Sequence, residues 1–194
     1  MSIVIIDYGA GNIQSIANVL DKLNADYTIS SDAKEILNAD KIIFPGQGSF
    51  AQAMDNLNKK SLVEPIKEAI NKQIPFLGIC LGLQILFEKS EEAPNVNGLG
   101  IFEGEVKKFR NGKTPQIGWN KVFPKDNEFL KEDFYYFVNS FYVEPKDESI
   151  IYAVSDYHGK YCCAVKKDNL IAVQFHPEKS AQLANDFFET FINF

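Results

Sequence analysis

Ile74-Pro75-Phe76-Leu77-Gly78-Ile79-Cys80-Leu81-Gly82-Leu83-Gln84-Ile85-Leu86-Phe87 is the stretch on which the reading of this chain turns. Its first four residues are short and apolar, as in a buried strand, and Leu83–Phe87 are spaced to cover one side of a helix. Between them stands G-x-C-x-G, a nucleophile elbow with sulfur in place of a serine oxygen. Glycines two residues either side of Cys80 remove the Cβ atoms that would clash in so tight a turn. The apex side chain then leaves the sheet at a helix start, where free N–H groups and the dipole favour thiolate over thiol. An isolated cysteine is often one more buried small hydrophobe. Paired glycines at a strand-to-helix switch favour the nucleophile instead.

Upstream, strand and helix patterns alternate. Ser2–Asp7 reads as a strand and Ile13–Leu23 as a helix whose Ile13, Ile16, Ala17, Leu20 and Leu23 share a face. The turn between them, Tyr8-Gly9-Ala10-Gly11-Asn12, holds G-x-G but not the complete dinucleotide fingerprint. Asp26–Ser30 and Lys41–Phe44 are further strands, with a short helix over Asp32–Asn38 capped by Ser31 or Asp32. Pro45-Gly46-Gln47-Gly48 follows the Lys41–Phe44 strand, and its main-chain N–H groups are free to converge on an anion. Helical patterns cover Ala51–Leu57 and Leu62–Lys72, with Pro65 in a first turn. This alternation predicts βαβ units whose functional loops share the rim at the carboxyl ends of the strands.

Beyond Glu88 the texture changes. Glu88–Glu92 is charged and Pro94–Gly100 is loop. Strand patterns then cover Phe102–Phe109, Gln116–Phe123, Tyr135–Val138 and Ile150–Val154. Tyr161–Val165 and Leu170–Phe175 read as a hairpin, and Leu183, Phe187, Phe188, Phe191 and Ile192 form the apolar stripe of a last helix over Ala181–Phe194. The expected fold is therefore α/β, a three-layer, mostly parallel central sheet with antiparallel additions, in one domain over residues 1–194.

Composition narrows the function classes. A net charge of −6 argues against non-specific nucleic-acid binding or an anionic membrane surface. No stretch approaches the ~20 apolar residues of a membrane span. The N-terminus lacks a signal-peptide pattern, and three cysteines, two of them adjacent, lack the spacing of a zinc site, so no metal is expected. A reducing, cytoplasmic compartment follows. Only His158 and His176 are available for imidazole chemistry. His158 sits in a hairpin-tip pattern, whereas Gln174-Phe175-His176-Pro177-Glu178-Lys179-Ser180 places His176 at a strand end, as Cys80 is. Glu178, two residues on, is placed to orient the imidazole, as in a triad. Spacing alone gives a Cys-His-Glu hydrolase, and leaves a peptidase or a non-catalytic scaffold open.

These residues carry a resemblance. Ile79-Cys80-Leu81-Gly82-Leu83-Gln84 with Phe175-His176-Pro177-Glu178 resembles the class I (triad) glutamine amidotransferases, whose architecture is flavodoxin-like. The segments Asp7–Asn12, Pro45–Gly48, Gly118-Trp119-Asn120, Tyr136-Phe137-Val138 and Pro177–Ser180 make the chain similar to the glutaminase subunits of imidazole glycerol phosphate synthases. The resemblance implies catalytic Cys80, His176 and Glu178, and hydrolysis of L-glutamine without a cofactor. It implies an oxyanion and glutamine pocket at Gln47, Gly48, Leu81, Gln84, Ser140 and Phe141. It also implies a heterodimer, with ammonia passed to a (β/α)8-barrel cyclase that makes imidazole glycerol phosphate and AICAR in histidine biosynthesis. Asn12, Trp119, Tyr136 and Lys179 would face that partner. Gln116 and Asn139 stand where family members commonly have His, and Gln47 where Val is usual. A paralogous pair that supplies ammonia for an amidino-sugar of surface polysaccharides is the alternative.

Overall fold

A computed structural model describes residues 2–9 and 11–194; Met1 and Ala10, the latter in the expected Tyr8–Asn12 turn, lie outside the described residues. Strands β1 (Ile3–Ile6), β2 (Tyr27–Ser30), β3 (Lys41–Phe44) and β4 (Phe76–Ile79) alternate with helices α1 (Ile13–Lys22), α2 (Ala33–Leu37), α3 (Phe50–Lys59) and α4 (Val63–Asn71). After β4 come α5 (Leu81–Ile85) and strands β5 (Phe87–Ser90), β6 (Phe102–Lys108), β7 (Gln116–Pro124) and β8 (Asp133–Asn139). The chain finishes with β9 (Phe141–Pro145), β10 (Ile151–Asp156), β11 (Lys160–Lys167), β12 (Leu170–Val173) and α6 (Leu183–Asn193).

The sheet runs β2-β1-β3-β4-β12-β11-β10-β7-β8, with β5, β6 and β9 branching from it at β11. The first five of these strands are mutually parallel, and everything from β11 onward on that path is antiparallel. The inner parallel strands β1, β3, β4 and β12 are buried on both faces and are mostly apolar, whereas the edge strand β2 is largely exposed. Val4, Ile6, Ile42, Phe44 and Phe76 pack with Phe50, Leu57 and Ile66 of α3 and α4. Ile3, Ile5, Ile43, Leu77 and Ile79 pack on the other side with Ile16 and Leu20 of α1 and Phe187, Phe188 and Phe191 of α6. Each of those buried rings contributes about 2–3 kcal/mol of transfer free energy. The expected three layers are present.

Some boundaries move. The strand before the elbow is Phe76–Ile79 rather than Ile74–Leu77, because its register is set by hydrogen-bonded neighbours on both sides, β3 and β12. The helix expected over Leu83–Phe87 starts at Leu81 and stops at Ile85, and Phe87 opens β5, which pairs with β6. The N–H groups of Leu99 and Ile101 reach the carbonyls of Ile85 and Leu86, so the returning chain takes acceptors that a longer helix would use. Asp32, not Ser31, caps α2, accepting from the N–H groups of Lys34 and Glu35. The hairpin strand ends at Val173, which frees Gln174–His176 for the site. Four chain segments, those after β1, β3, β4 and β12, thus meet at one edge of the parallel half.

Candidate active site

Cys80 is the residue between β4 and α5, with φ 56° and ψ −110°. A non-glycine residue held there stores about 1–3 kcal/mol of strain, which the surroundings must enforce. They do so through close packing. A Cβ on Gly78 would lie 2.9 Å from the Ala172 Cβ, and one on Gly82 would lie 2.2 Å from the Phe44 carbonyl oxygen. Gly46 is pressed as tightly from the other side, 2.3 Å from the Gly82 nitrogen if it carried a Cβ. The P-G-Q-G loop therefore rests on the first turn of α5. The Cys80 N–H donates to the Val173 carbonyl at 2.7 Å, tying the elbow to β12.

Three residues past Val173, His176 reaches the same place. Its Nδ1 lies 2.8 Å from Glu178 Oε1, and both side chains are almost fully buried. Nε2 is the ring nitrogen left to meet the sulfur. Burial disfavours the imidazolium, but the hydrogen bond and charge of Cys80, then those of Glu178, outweigh it and push His176 up to about 10. The His176 backbone is fixed as well: its N–H donates to the Tyr136 carbonyl, and its carbonyl accepts from the Ser180 hydroxyl at 2.8 Å. That hydroxyl in turn accepts from the Tyr136 N–H at 3.2 Å. Strand β8 thus holds the histidine in register.

A cavity of about 300 Å³ opens over Cys80 and His176, the size of a small-metabolite pocket. Gln47, Gly48, Leu81, Gln84, Ser140 and Phe141, all expected there, line it. Leu81 is the first residue of α5, so its N–H has no acceptor within the helix. Gly48, at φ +98°, takes a turn that few other residues adopt at low cost. Asn139, which stands where family members commonly have His, is in the wall too, its Nδ2 donating to the Phe141 carbonyl; the sequence does not anticipate Glu92, whose Oε2 accepts from the Phe50 N–H at 2.8 Å. Glu92 hid in a charged run that reads as solvated surface. Its partner lies 42 residues away, so nothing local marks it.

With this geometry in view, the family Glutamine amidotransferase class-I matches residues 4–193. This chain belongs to that family. The amidotransferase is 42% identical to the imidazole glycerol phosphate synthase subunit HisH of Dehalococcoides mccartyi, over 97% of this chain and 95% of that one. It is 44% identical to the subunit of that name from Aquifex aeolicus, over 98% of this chain and 96% of that one. A solved glutamine amidotransferase superimposes with a TM-score of 0.77 at 17% identity, covering 97% of this chain and 98% of the other. PurLQS from Thermotoga maritima gives 0.76, also at 17%, covering 99% and 97%. The two structures speak to the fold alone, and agree with the three-layer arrangement.

The residues expected to face a partner lie around the pocket mouth and on the outer strands. Trp119 and Tyr136 are register partners on β7 and β8, with rings 5.9 Å apart and edge-on, and Trp119 is half exposed. Ile117, Phe123 and Phe134 extend this exposed apolar face of the amidotransferase. Lys179 lines the pocket, and Asn12 sits at the start of α1, where its amide donates to the Ser15 hydroxyl at 2.6 Å. Among the described residues, no helix is long and apolar enough to cross a membrane.

Proposed function

We propose that this chain is the glutaminase subunit of an imidazole glycerol phosphate synthase, the HisH-type partner of a (β/α)8-barrel cyclase. The observation that carries the chemistry is a cysteine held at a strained elbow beside an imidazole that a buried carboxylate orients. Relatives about 40% identical over nearly their whole length support the acceptor over the amidino-sugar alternative. Among the described residues all twelve strands join one sheet, which supports reading residues 1–194 as a single amidotransferase domain. Three free, buried cysteines fit a reducing cytoplasm.

In this reading Cys80 Sγ attacks the side-chain amide carbon of glutamine, and the carbonyl electron pair moves onto oxygen. The N–H groups around Gln47, Gly48 and Leu81 receive that oxyanion, each donor being worth roughly 3 kcal/mol. As the carbon–nitrogen bond breaks, His176 gives the departing group its proton and ammonia leaves a γ-glutamyl thioester. The sulfur is then uncharged, so the largest influences raising His176 vanish while burial stays. The imidazole becomes able to take a proton from water. Hydroxide adds to the thioester, the thiolate leaves, and glutamate is released. Glu92, in the wall of an acidic chain's pocket, is the carboxylate placed to pair with the substrate's α-ammonium. Glu92→Gln should raise KM for glutamine roughly tenfold, with a smaller change in kcat.

The pH dependence has a definite sign. A raised His176 keeps the imidazolium through neutral pH, so acylation is lost only as pH climbs toward about 10. Glu178→Gln removes part of what raises it, so the alkaline limb of kcat/KM should move to lower pH. An unchanged limb in that variant would contradict the orienting role. The function itself is tested by ammonia release from glutamine with the cyclase and its nucleotide ligand added. Stimulation by that pair is expected, and its absence would reject the histidine-pathway assignment. Trp119, half exposed on β7, and Tyr136, partly exposed on the strand β8 that holds His176, are the docking contacts in this reading.

A further inference from the structure

Gln174 is completely buried and has its side-chain Nε2 3.8 Å from Cys80 Sγ, a hydrogen-bonding distance for sulfur. Its polarity is not a matter of choice. The Phe141 carbonyl only accepts, and takes a hydrogen from Gln84 Nε2 at 3.2 Å. Gln84 Nε2 only donates, and gives its other hydrogen to Gln174 Oε1 at 3.0 Å. With its oxygen so engaged, Gln174 has only N–H left to offer the sulfur. A backbone carbonyl thus sets the direction of both amides. The backbone of Gln174 is also fixed, its N–H donating to the Cys163 carbonyl at 2.8 Å.

We propose that Gln174 is a further catalytic residue, an N–H donor to the reacting sulfur opposite His176, and that Gln84 positions it through a relay anchored on the Phe141 carbonyl. An N–H donor steadies negative charge on the sulfur as it attacks, because a charged acceptor makes the stronger hydrogen bond. The same contact fixes the direction of the sulfur and eases its departure from the thioester. Burial makes the effect large, because no water competes for the sulfur on that side. Ser140 and Phe141 line the glutamine pocket, so substrate pressing on that segment bears on the relay at its anchor. Only the effect on turnover rests on the glutaminase reading; the contact to sulfur does not.

The test is the rate of Cys80 alkylation by iodoacetamide near neutral pH, in the full chain, with kcat and KM for glutamine measured alongside in the cyclase complex. Burial pushes Cys162 up to about 12 and Cys163 well above the usual thiol range, so Cys80 alone reports. Gln174→Leu should slow alkylation roughly ten- to hundredfold and lower kcat similarly, with KM changed by about twofold or less. Gln174→Glu, equal in shape but ionisable, should fall at least as far, and decides the matter where the leucine variant does not fold. Gln84→Leu keeps Gln174 but frees its amide, and should slow alkylation severalfold. Alkylation at the wild-type rate in a folded variant would overturn the proposal, because a purely packing role changes stability and not sulfur reactivity. Alkylation that depends on Gln174 in a protein that never hydrolyses glutamine would instead refute the glutaminase reading.

Discussion

Replacing Cys80 by alanine lowers glutamine hydrolysis by on the order of 10⁴-fold or more, and leaves the fold and the complex with the cyclase intact. The loss is this large because, among the described residues, no other cysteine lines the pocket. Cys162 and Cys163 are buried in β11, and neither borders the cavity over Cys80. Residual hydrolysis would come from the oxyanion amides and from substrate binding alone. Alanine removes only a sulfur that packs beside Gln174 and His176 and keeps the Cβ at the strained position, so thermal stability should stay close to that of the wild type. The measurement is ammonia release by the stimulated complex, with co-elution of the two subunits as the control. Undiminished hydrolysis would remove Cys80 from the mechanism.

Gly82→Ala should be the most damaging single change to the fold at the site. The new Cβ would stand 2.2 Å from the Phe44 carbonyl oxygen and 3.3 Å from its carbon. Both are main-chain atoms of a central strand, so no rotamer change relieves the overlap. Either α5 lifts from β3 or β3 shifts within a fully buried ladder. The expected cost is about 3 kcal/mol, or roughly 6–12 °C in melting temperature for a chain of this size. Glutaminase activity should fall even in the surviving folded fraction, because Gly46 and its anion-cradling loop rest on the same turn. A variant that melts like the wild type would show that the elbow is less tightly set than its glycines indicate.

The parallel half was legible because its signals are local. Ile3–Ile6 is an unbroken apolar strand and Ile42–Phe44 an apolar run after Lys41, and Ile16, Leu20, Phe187 and Phe188 keep helical spacing. The triad was legible for another reason, since G-x-C-x-G and His-Pro-Glu each sit at a strand end and bring their own turn chemistry. Strands β5 and β9 escaped notice because their partners are distant. Phe87-Glu88-Lys89-Ser90 buries only its two ends and pairs with β6, while Phe141–Pro145 is separated from β8 by the single residue Ser140 and pairs back with β6. Glu92 and Gln174 were invisible as functional groups for the same reason. Each is held by a contact that exists only in the assembled fold, Glu92 by Phe50 of α3, 42 residues away, and Gln174 by Cys80, 94 residues away. Side-chain chemistry that depends on such meetings leaves no periodic trace.

The central claim is that Cys80 attacks glutamine and carries the glutamyl group. Acid quenching of the cyclase-stimulated complex during turnover, followed by peptide mass spectrometry, tests it most directly. One glutamyl group, without its amide nitrogen, is expected on the peptide that contains Cys80, and none in Cys80→Ala. Steady glutamine hydrolysis with no adduct on that peptide, or with the adduct on Cys162 or Cys163, would contradict it.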